Sequence, residues 1–313
     1  MTIDSRPVTD PDTPRIPAAV EAEPMVRVNA PSKFFTGFSG TVREVWDYRE
    51  LLSGLVHKEL RVRYKNSALG FVWSLLLPLV QLAVYWLVIG KFLNAGAIPA
   101  YGIFIFSGLA VWTLFNEIVS TSTTSILNNA GLVKKVYFPR ELFPLAAVGA
   151  ALVNFGFQLA ILVGAVIVSG IDTGVWPDLA QLPLALLALL VLLLFSTALG
   201  LLLAAANVYL RDVQHLIGIV LMLWFWVTPI IYDVGKVGRV LSPPLYTIYL
   251  LNPVADVVFA FQRVFWPQGA TTGVAFGGNL GLRLGLLTVA CAAFLWFAQR
   301  VFARAQGNFA QEL

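Results

Sequence analysis

The chain has 313 residues, of which 58% are hydrophobic and only 12% charged, and its net charge is +4. A water-soluble domain carries about a quarter charged residues, because its surface has to face water; this composition therefore excludes a soluble globular fold. One cysteine, Cys291, rules out an intrachain disulfide, and with only His57 and His215 beside it there is no metal-ligand cluster.

Residues 1–40 hold Pro7, Pro11, Pro14, Pro17, Pro24 and Pro31 with Asp4, Asp10, Asp12, Glu21 and Glu23 between them. They lack the apolar core of a signal peptide, and the composition predicts a disordered cytoplasmic tail. Residues 41–70 are expected to contain an amphipathic helix. Over 42–65, Val45, Tyr48, Leu52, Leu55, Val56 and Leu60 fall on one side, and charged residues from Arg43 to Lys65 fill much of the remainder. Such a helix lies in a membrane interface or packs on a partner.

A hydrocarbon core of about 30 Å needs about 20 helical residues to cross it. Six apolar stretches meet that length, at about 71–93, 101–121, 143–169, 182–207, 214–232 and 283–303. Residues 71–305 thus read as a six-span transmembrane domain of an all-α integral membrane protein, with kinks expected at Pro78 and Pro229. The segment 233–282 is too long for a turn. Within it Asn252-Pro253 supplies an N-cap and a first helical residue, opening an apolar stretch to Trp266 that includes Arg263 and is too short to span. A re-entrant or interfacial outer helix is the expectation.

Orientation follows from Lys and Arg in the short flanks. With the N-terminus inside, the inner flanks hold Lys58, Arg61, Arg63, Lys65, Lys134, Lys135, Arg140, Arg211, Arg300 and Arg304, whereas the short outer loops 94–100 and 170–181 hold none. Both termini, including residues 306–313, are expected in the cytoplasm. The basic residues beside apolar spans point to anionic lipid headgroups rather than nucleic acid as partners.

No G-x-x-x-x-G-K-[ST], H-E-x-x-H or G-x-S-x-G pattern occurs, so no catalytic residue is assigned and a conduit is favoured over an enzyme. Ionisable groups inside the spans are sparse, which argues against proton-coupled transport and for energy supplied from outside the chain. Glu117 is either a conduit-facing group or a carboxylate bonded to a neighbouring helix. The loop 122–142 is basic, yet Leu132, Val133, Val136, Tyr137 and Phe138 are too apolar for a solvated connector; they suggest contact with a partner or with the bundle, and Pro139 is expected to start the next helix. Tyr85, Trp112 and Trp224 are either packing residues or a wall on which sugar rings stack. Lys58, Arg61 and Lys65 follow i, i+3, i+7 spacing and so share one helix face.

Several blocks together carry a resemblance. They are Glu50-Leu-Leu with Lys58-Glu59-Leu60-x-Val62-Arg63-Tyr64-Lys65 and Trp73; Phe106-Ser107-Gly108-Leu109-x-x-Trp112; Asn128 with Leu132-x-Lys134-Lys135-Val136-Tyr137-Phe138-Pro139-Arg140-Glu141; Tyr209-x-Arg211-Asp212-Val213 with Thr228-Pro229; and Leu251-Asn252-Pro253 with Arg263. In this order, over about residues 44–305, the chain resembles type-2 ABC exporter permeases, within them the branch that exports lipid-linked polysaccharides such as O-antigens and teichoic acids, and most nearly the mycobacterial cell-wall galactan exporters. The resemblance implies a homodimer of permeases in the bacterial plasma membrane, joined by two ATPase subunits that bind ATP and magnesium, with no cofactor in this chain. It implies that residues 122–138 act as a coupling helix, with Asn128, Leu132, Lys134, Lys135 and Tyr137 meeting the ATPase. The substrate would be a polymer on polyprenyl pyrophosphate, met at the inner leaflet by Lys58, Arg61 and Lys65. An exporter of drugs or small lipids from the same superfamily is the alternative.

Overall fold

In a computed structural model the chain is described over residues 45–64, 72–92, 98–135, 138–232, 234–267 and 279–313. The expected tail at 1–40, and the roles expected of Lys65 and Tyr137, lie outside these residues. Among the described residues every regular element is a helix: α1 (Arg49–Tyr64), α2 (Val72–Tyr85, continuing as a π-helix over Trp86–Phe92), α3 (Tyr101–Asn128), α4 (Ala130–Lys135), α5 (Leu142–Thr173), α6 (Leu182–Tyr209), α7 (Val213–Val227), α8 (Val234–Val240), α9 (Pro243–Tyr249), α10 (Pro253–Phe265), α11 (Leu280–Ala305) and α12 (Phe309–Glu312).

Four of these helices, α3, α5, α6 and α11, are long and apolar enough to cross a bilayer, and a fifth candidate is the bent pair α9–α10, whose axes differ by 79°. The first and fifth expected spans are helical but shorter. α7 stops at Val227 rather than 232, because Thr228 precedes Pro229 and takes an extended conformation, φ −88° and ψ 130°. α2 runs through Pro78 without interruption and changes to π-helix only after Tyr85.

The second span shows the largest departure. It was expected to end near 121, yet α3 continues to Asn128 and buries Ser122, Thr123, Ser125 and Ile126. At 1.5 Å per residue its 28 residues extend about 42 Å. The Ser and Thr hydroxyls sustain it by bonding back into their own helix, Thr123 Oγ1 to Val119 O at 2.7 Å and Ser125 Oγ to Ser122 O at 2.7 Å. The expected loop over 122–142 is therefore much shorter, and Pro139 does not start α5. Pro139, Arg140 and Glu141 form a turn in which Leu142 N–H donates to Pro139 O at 3.3 Å.

α3 is the central column, with 78% of its most apolar window buried, and it packs on α5, α6, α7 and α10. Close approach depends on small residues, as inside membranes generally. A Cβ at Gly200 of α6 would lie 2.7 Å from the Ser122 Cβ of α3, and one at Gly149 of α5 would lie 2.7 Å from Val56 of α1. The apolar side of α1 is therefore met by α5, with Leu55 buried. Between α3 and α5, Asn154 Nδ2 donates to Glu117 Oε1 at 2.6 Å, which places Glu117 as a carboxylate bonded to a neighbouring helix.

The two ends of the bundle differ. At the basic end, carrying Lys134, Lys135, Arg211 and Arg304, Tyr209 Oη donates to Ala305 O at 2.9 Å, joining the C-terminal ends of α6 and α11. At the far end, Trp266 Nε1 donates to Pro99 O at 2.7 Å, joining the end of α10 to the start of α3.

Gly200→Val is expected to lower the unfolding temperature and the folded yield, since overpacking costs about 1–3 kcal/mol. Gly218→Val on α7, where a Cβ meets nothing within 4 Å, should change neither. Thermal unfolding in detergent checks the pair, and equal losses at both sites would contradict the packing described.

Candidate functional site

At the basic end, α3 stops at Asn128 and the backbone turns at Asn129 (φ −115°, ψ 19°). Asn129 holds the corner through both ends of its amide: Nδ2 donates to Ser125 O at 2.7 Å and Oδ1 accepts from Lys58 Nζ of α1. α4 follows with two unlike faces. Val133 is 4% exposed and packs with Phe138, Leu142, Phe143, Phe302 and Phe309. Asn128, Leu132, Lys134 and Lys135 all stay exposed. The apolar excess of this segment thus divides, Val133 and Phe138 serving the bundle and Leu132 standing beside two lysines on the surface.

The segment after α11 completes this end. Phe309 is fully buried against Phe302 and Tyr209. The Arg140 guanidinium lies 5.9 Å over its ring and also donates to Gln306 O, while Gln306 Nε2 reaches Glu141 Oε1 at 3.3 Å. Sequence reasoning treated 306–313 only as a terminus. The available signal was one aromatic, Phe309, among Gln306, Asn308, Gln311 and Glu312.

Of the three basic residues expected to meet a pyrophosphate, the structure changes the reading of one. Lys58 points its ammonium at Asn129 and braces the α3–α4 corner. Arg61 is exposed on the same helix, and Lys65 lies outside the described residues.

The aromatics come together in one cluster. Trp112 is 7% exposed within the single chain. It packs at 5.5 Å from Phe115 and 5.6 Å from Phe225, which stacks in turn on Tyr85 at 5.9 Å. Trp224, half-buried, sets its edge against Phe115 at 5.3 Å. Such pairs add about 0.5–1.5 kcal/mol each beyond burial, enough to explain the cluster as packing. Tyr85 and Trp224 keep partial exposure; Trp226, 55% exposed, is the freer ring.

Towards the far end, Asn252 caps α10 as its sequence implied, its Oδ1 accepting Val254 N–H at 3.1 Å with Pro253 in the first turn. The same Oδ1 accepts Trp224 Nε1–H at 3.1 Å, and Nδ2 donates to Thr228 Oγ1 at 3.0 Å. Arg283 of α11 ties α10 down, with its Nη2 2.6 Å from Asp256 Oδ1 and 2.6 Å from Leu250 O. Arg263 is exposed on a helix otherwise almost wholly buried. Among the described residues no group of His, Cys, Asp or Glu gathers that could hold a metal ion.

The chain matches the ABC-2 type transporter family over residues 50–266. It is 31% identical over 272 residues, 87% of this chain and 98% of the relative, to an O-antigen export system permease protein RfbA from Myxococcus xanthus. An O-antigen export system permease protein RfbA from Klebsiella pneumoniae is 28% identical, covering 69% of this chain and 80% of its own length. The polysialic acid transport protein KpsM of Escherichia coli is 22% identical, covering 72% and 84% respectively.

Phe309→Ala should loosen α4 from the bundle, since truncating a buried aromatic costs about 3–5 kcal/mol. Trypsin should then cut after Lys134 and Lys135 at least several-fold faster, with the long helices still folded. Phe297→Ala, at a position 53% exposed, should not change that rate. Unchanged cleavage in Phe309→Ala would contradict the anchoring.

Proposed function

This chain belongs to the ABC-2 type transporter family, and on that premise we propose that it is the transmembrane subunit of an ATP-driven exporter of polyprenyl-pyrophosphate-linked polysaccharide. The observation that carries the reading is α4: a short helix anchored inside by Val133 and presenting Leu132, Lys134 and Lys135 outward, beside Asn128 at the end of α3, at the basic end of an apolar bundle. A surface of this kind suits a protein partner that pushes on it. We take that partner to be a separate ATPase, two copies of which serve a homodimer of permeases.

The basic end is read as cytoplasmic, because Lys and Arg near span ends are retained there. Both termini then lie on the cytoplasmic side of the plasma membrane. The six-span reading rests on α2 with its π-helical extension, α3, α5, α6, α7 and α11. Its parity is supported by Tyr209 and Ala305, which bond to each other, so that residues 210–305 begin and finish at one end. With α7 rising and α11 returning, α8, α9 and α10 remain on the outer side, α10 as a re-entrant helix.

The polymer reading takes its support from the three relatives, all named for polysaccharide transport, at coverage of 80% or more of each. They favour it over drug or small-lipid export. Cell-wall galactan is the polymer we propose. Arg61 and Lys65 remain the residues proposed to draw a pyrophosphate headgroup from the inner leaflet, each basic group near the surface contributing about 1 kcal/mol.

Depletion of the chain should make lipid-linked polysaccharide accumulate inside the cell. Leu132→Asp, or Lys134→Glu with Lys135→Glu, should leave membrane levels and ATP hydrolysis by the complex intact but cut export about tenfold, the effect of losing roughly 1.4 kcal/mol of coupling. Normal export by these variants, or robust ATP hydrolysis by the isolated chain, would overturn the reading. For topology, single cysteines at Val240, 84% exposed, and at Asn279 should both label from outside. Labelling of Asn279→Cys only from the cytoplasm would make α9–α10 a crossing.

A further inference from the structure

α7 is lightly held along its length. Of its 15 residues only Leu221 is buried, while Leu216, Ile219, Met222, Leu223, Trp226 and Val227 are each more than half exposed. Its two ends are held differently, each by an asparagine that uses both functions of its amide. At the basic end Asn207, fully buried in the last turn of α6, donates from Nδ2 to Thr123 O of α3 at 3.0 Å and accepts Gln214 N–H of α7 at 3.2 Å through Oδ1. At the other end Asn252 donates to Thr228 Oγ1 at 3.0 Å and accepts Trp224 Nε1–H at 3.1 Å, while capping α10.

The order of these contacts is physical as well as spatial. Asn129 fastens α4 to α3, Asn207 fastens α3 to the first turn of α7, and Asn252 fastens the last turn of α7 to α10. Gln214 N–H is one of the first-turn donors that a helix cannot satisfy itself. Asn207 is fully buried and Asn252 half-buried; where water is scarce an unmade amide bond is costly, so each latch resists opening. Apart from Trp226 O, which accepts Tyr232 Oη–H at 2.8 Å from the segment just after the helix, the contacts of α7 between the latches are apolar and shift with little penalty. A displacement of α4 is then carried more readily by moving α7 as a body than by breaking either latch.

We propose that α7 is a lever between two asparagine latches, with Asn207 as the positioning residue that passes motion from α4 and α3 into α7, and Asn252 as the one that passes it to α10. The proposal rests on the exporter reading for its source of motion.

The test uses the permease with its cognate ATPase in proteoliposomes, reading polysaccharide moved per ATP hydrolysed. Asn207→Ala and Asn252→Ala should each lower that ratio about tenfold with hydrolysis within about twofold of wild type, and the double variant should be no worse than the weaker single, because the two act in series. Multiplicative losses, or export falling in step with folded protein while the ratio holds, would overturn the lever and leave two structural caps. Should Asn207→Ala not fold, Asn207→Asp keeps the acceptor for Gln214 N–H and loses the donor to Thr123, and carries the same test. A second readout is independent of substrate. Spin labels at Val227 and Leu286, both exposed, in a Cys291→Ser background should change separation when nucleotide is trapped, and Asn207→Ala should abolish the change. No change in the wild-type complex would overturn the lever. A change without any polysaccharide export would leave the lever standing and remove the exporter reading.

Discussion

A polar group inside hydrocarbon has no water to turn to, so each one has to find its partner within the protein. That constraint decides where this chain can change direction. The long helices run through apolar side chains, and several of the polar groups among them are taken up locally. Thr123 and Ser125 bond to the carbonyls of their own helix. Asn154 takes up Glu117. Asn129, Asn207 and Asn252 sit at three junctions between helices, and each bonds across its junction.

The same constraint separates the two ends. Charge gathers where the slab stops, and at the basic end Lys58, Arg140, Glu141 and Gln306 are drawn into bonds that hold α1, α4 and the C-terminal segment together. Among what is presented there is one short helix, on which Leu132 is exposed beside Lys134 and Lys135. Towards the other end, Asp256 and Arg283 pair at 2.6 Å and fix α10 against α11. Breaking such a pair by removing one partner is far more costly than the pair itself is stabilising, so α10 is an anchored element rather than a loose loop. α7, lightly buried, lies between the basic end and this anchored helix.

The long apolar helices were legible in the sequence because hydrocarbon thickness imposes a length that few other folds need. α10 was legible for a different reason: Asn252-Pro253 is a local start signal whose chemistry does not depend on neighbours. The end of α3 was not, since a run of Ser and Thr reads as a loop until their hydroxyls are seen bonding back along the helix. The packing of Trp112 on Phe225 and the bond of Lys58 to Asn129, 71 positions away, were not legible because they join segments distant in the chain. The latches at Asn207 and Asn252 are also contacts between distant segments, which spacing along the chain does not encode. Family resemblance marked Asn252 but gave no sign of Asn207.

The central claim is that this chain forms the path, and a partner ATPase drives it. The most direct measurement uses inverted vesicles containing the chain with that ATPase, supplied on the outer, cytoplasmic face with radiolabelled polyprenyl-pyrophosphate galactan. On adding ATP and magnesium, the labelled polymer should become resistant to an externally added galactan hydrolase, and a non-hydrolysable ATP analogue should give no protection. Polymer that stays fully digestible after ATP, in vesicles whose ATPase is active and whose permease is correctly oriented, would contradict the account.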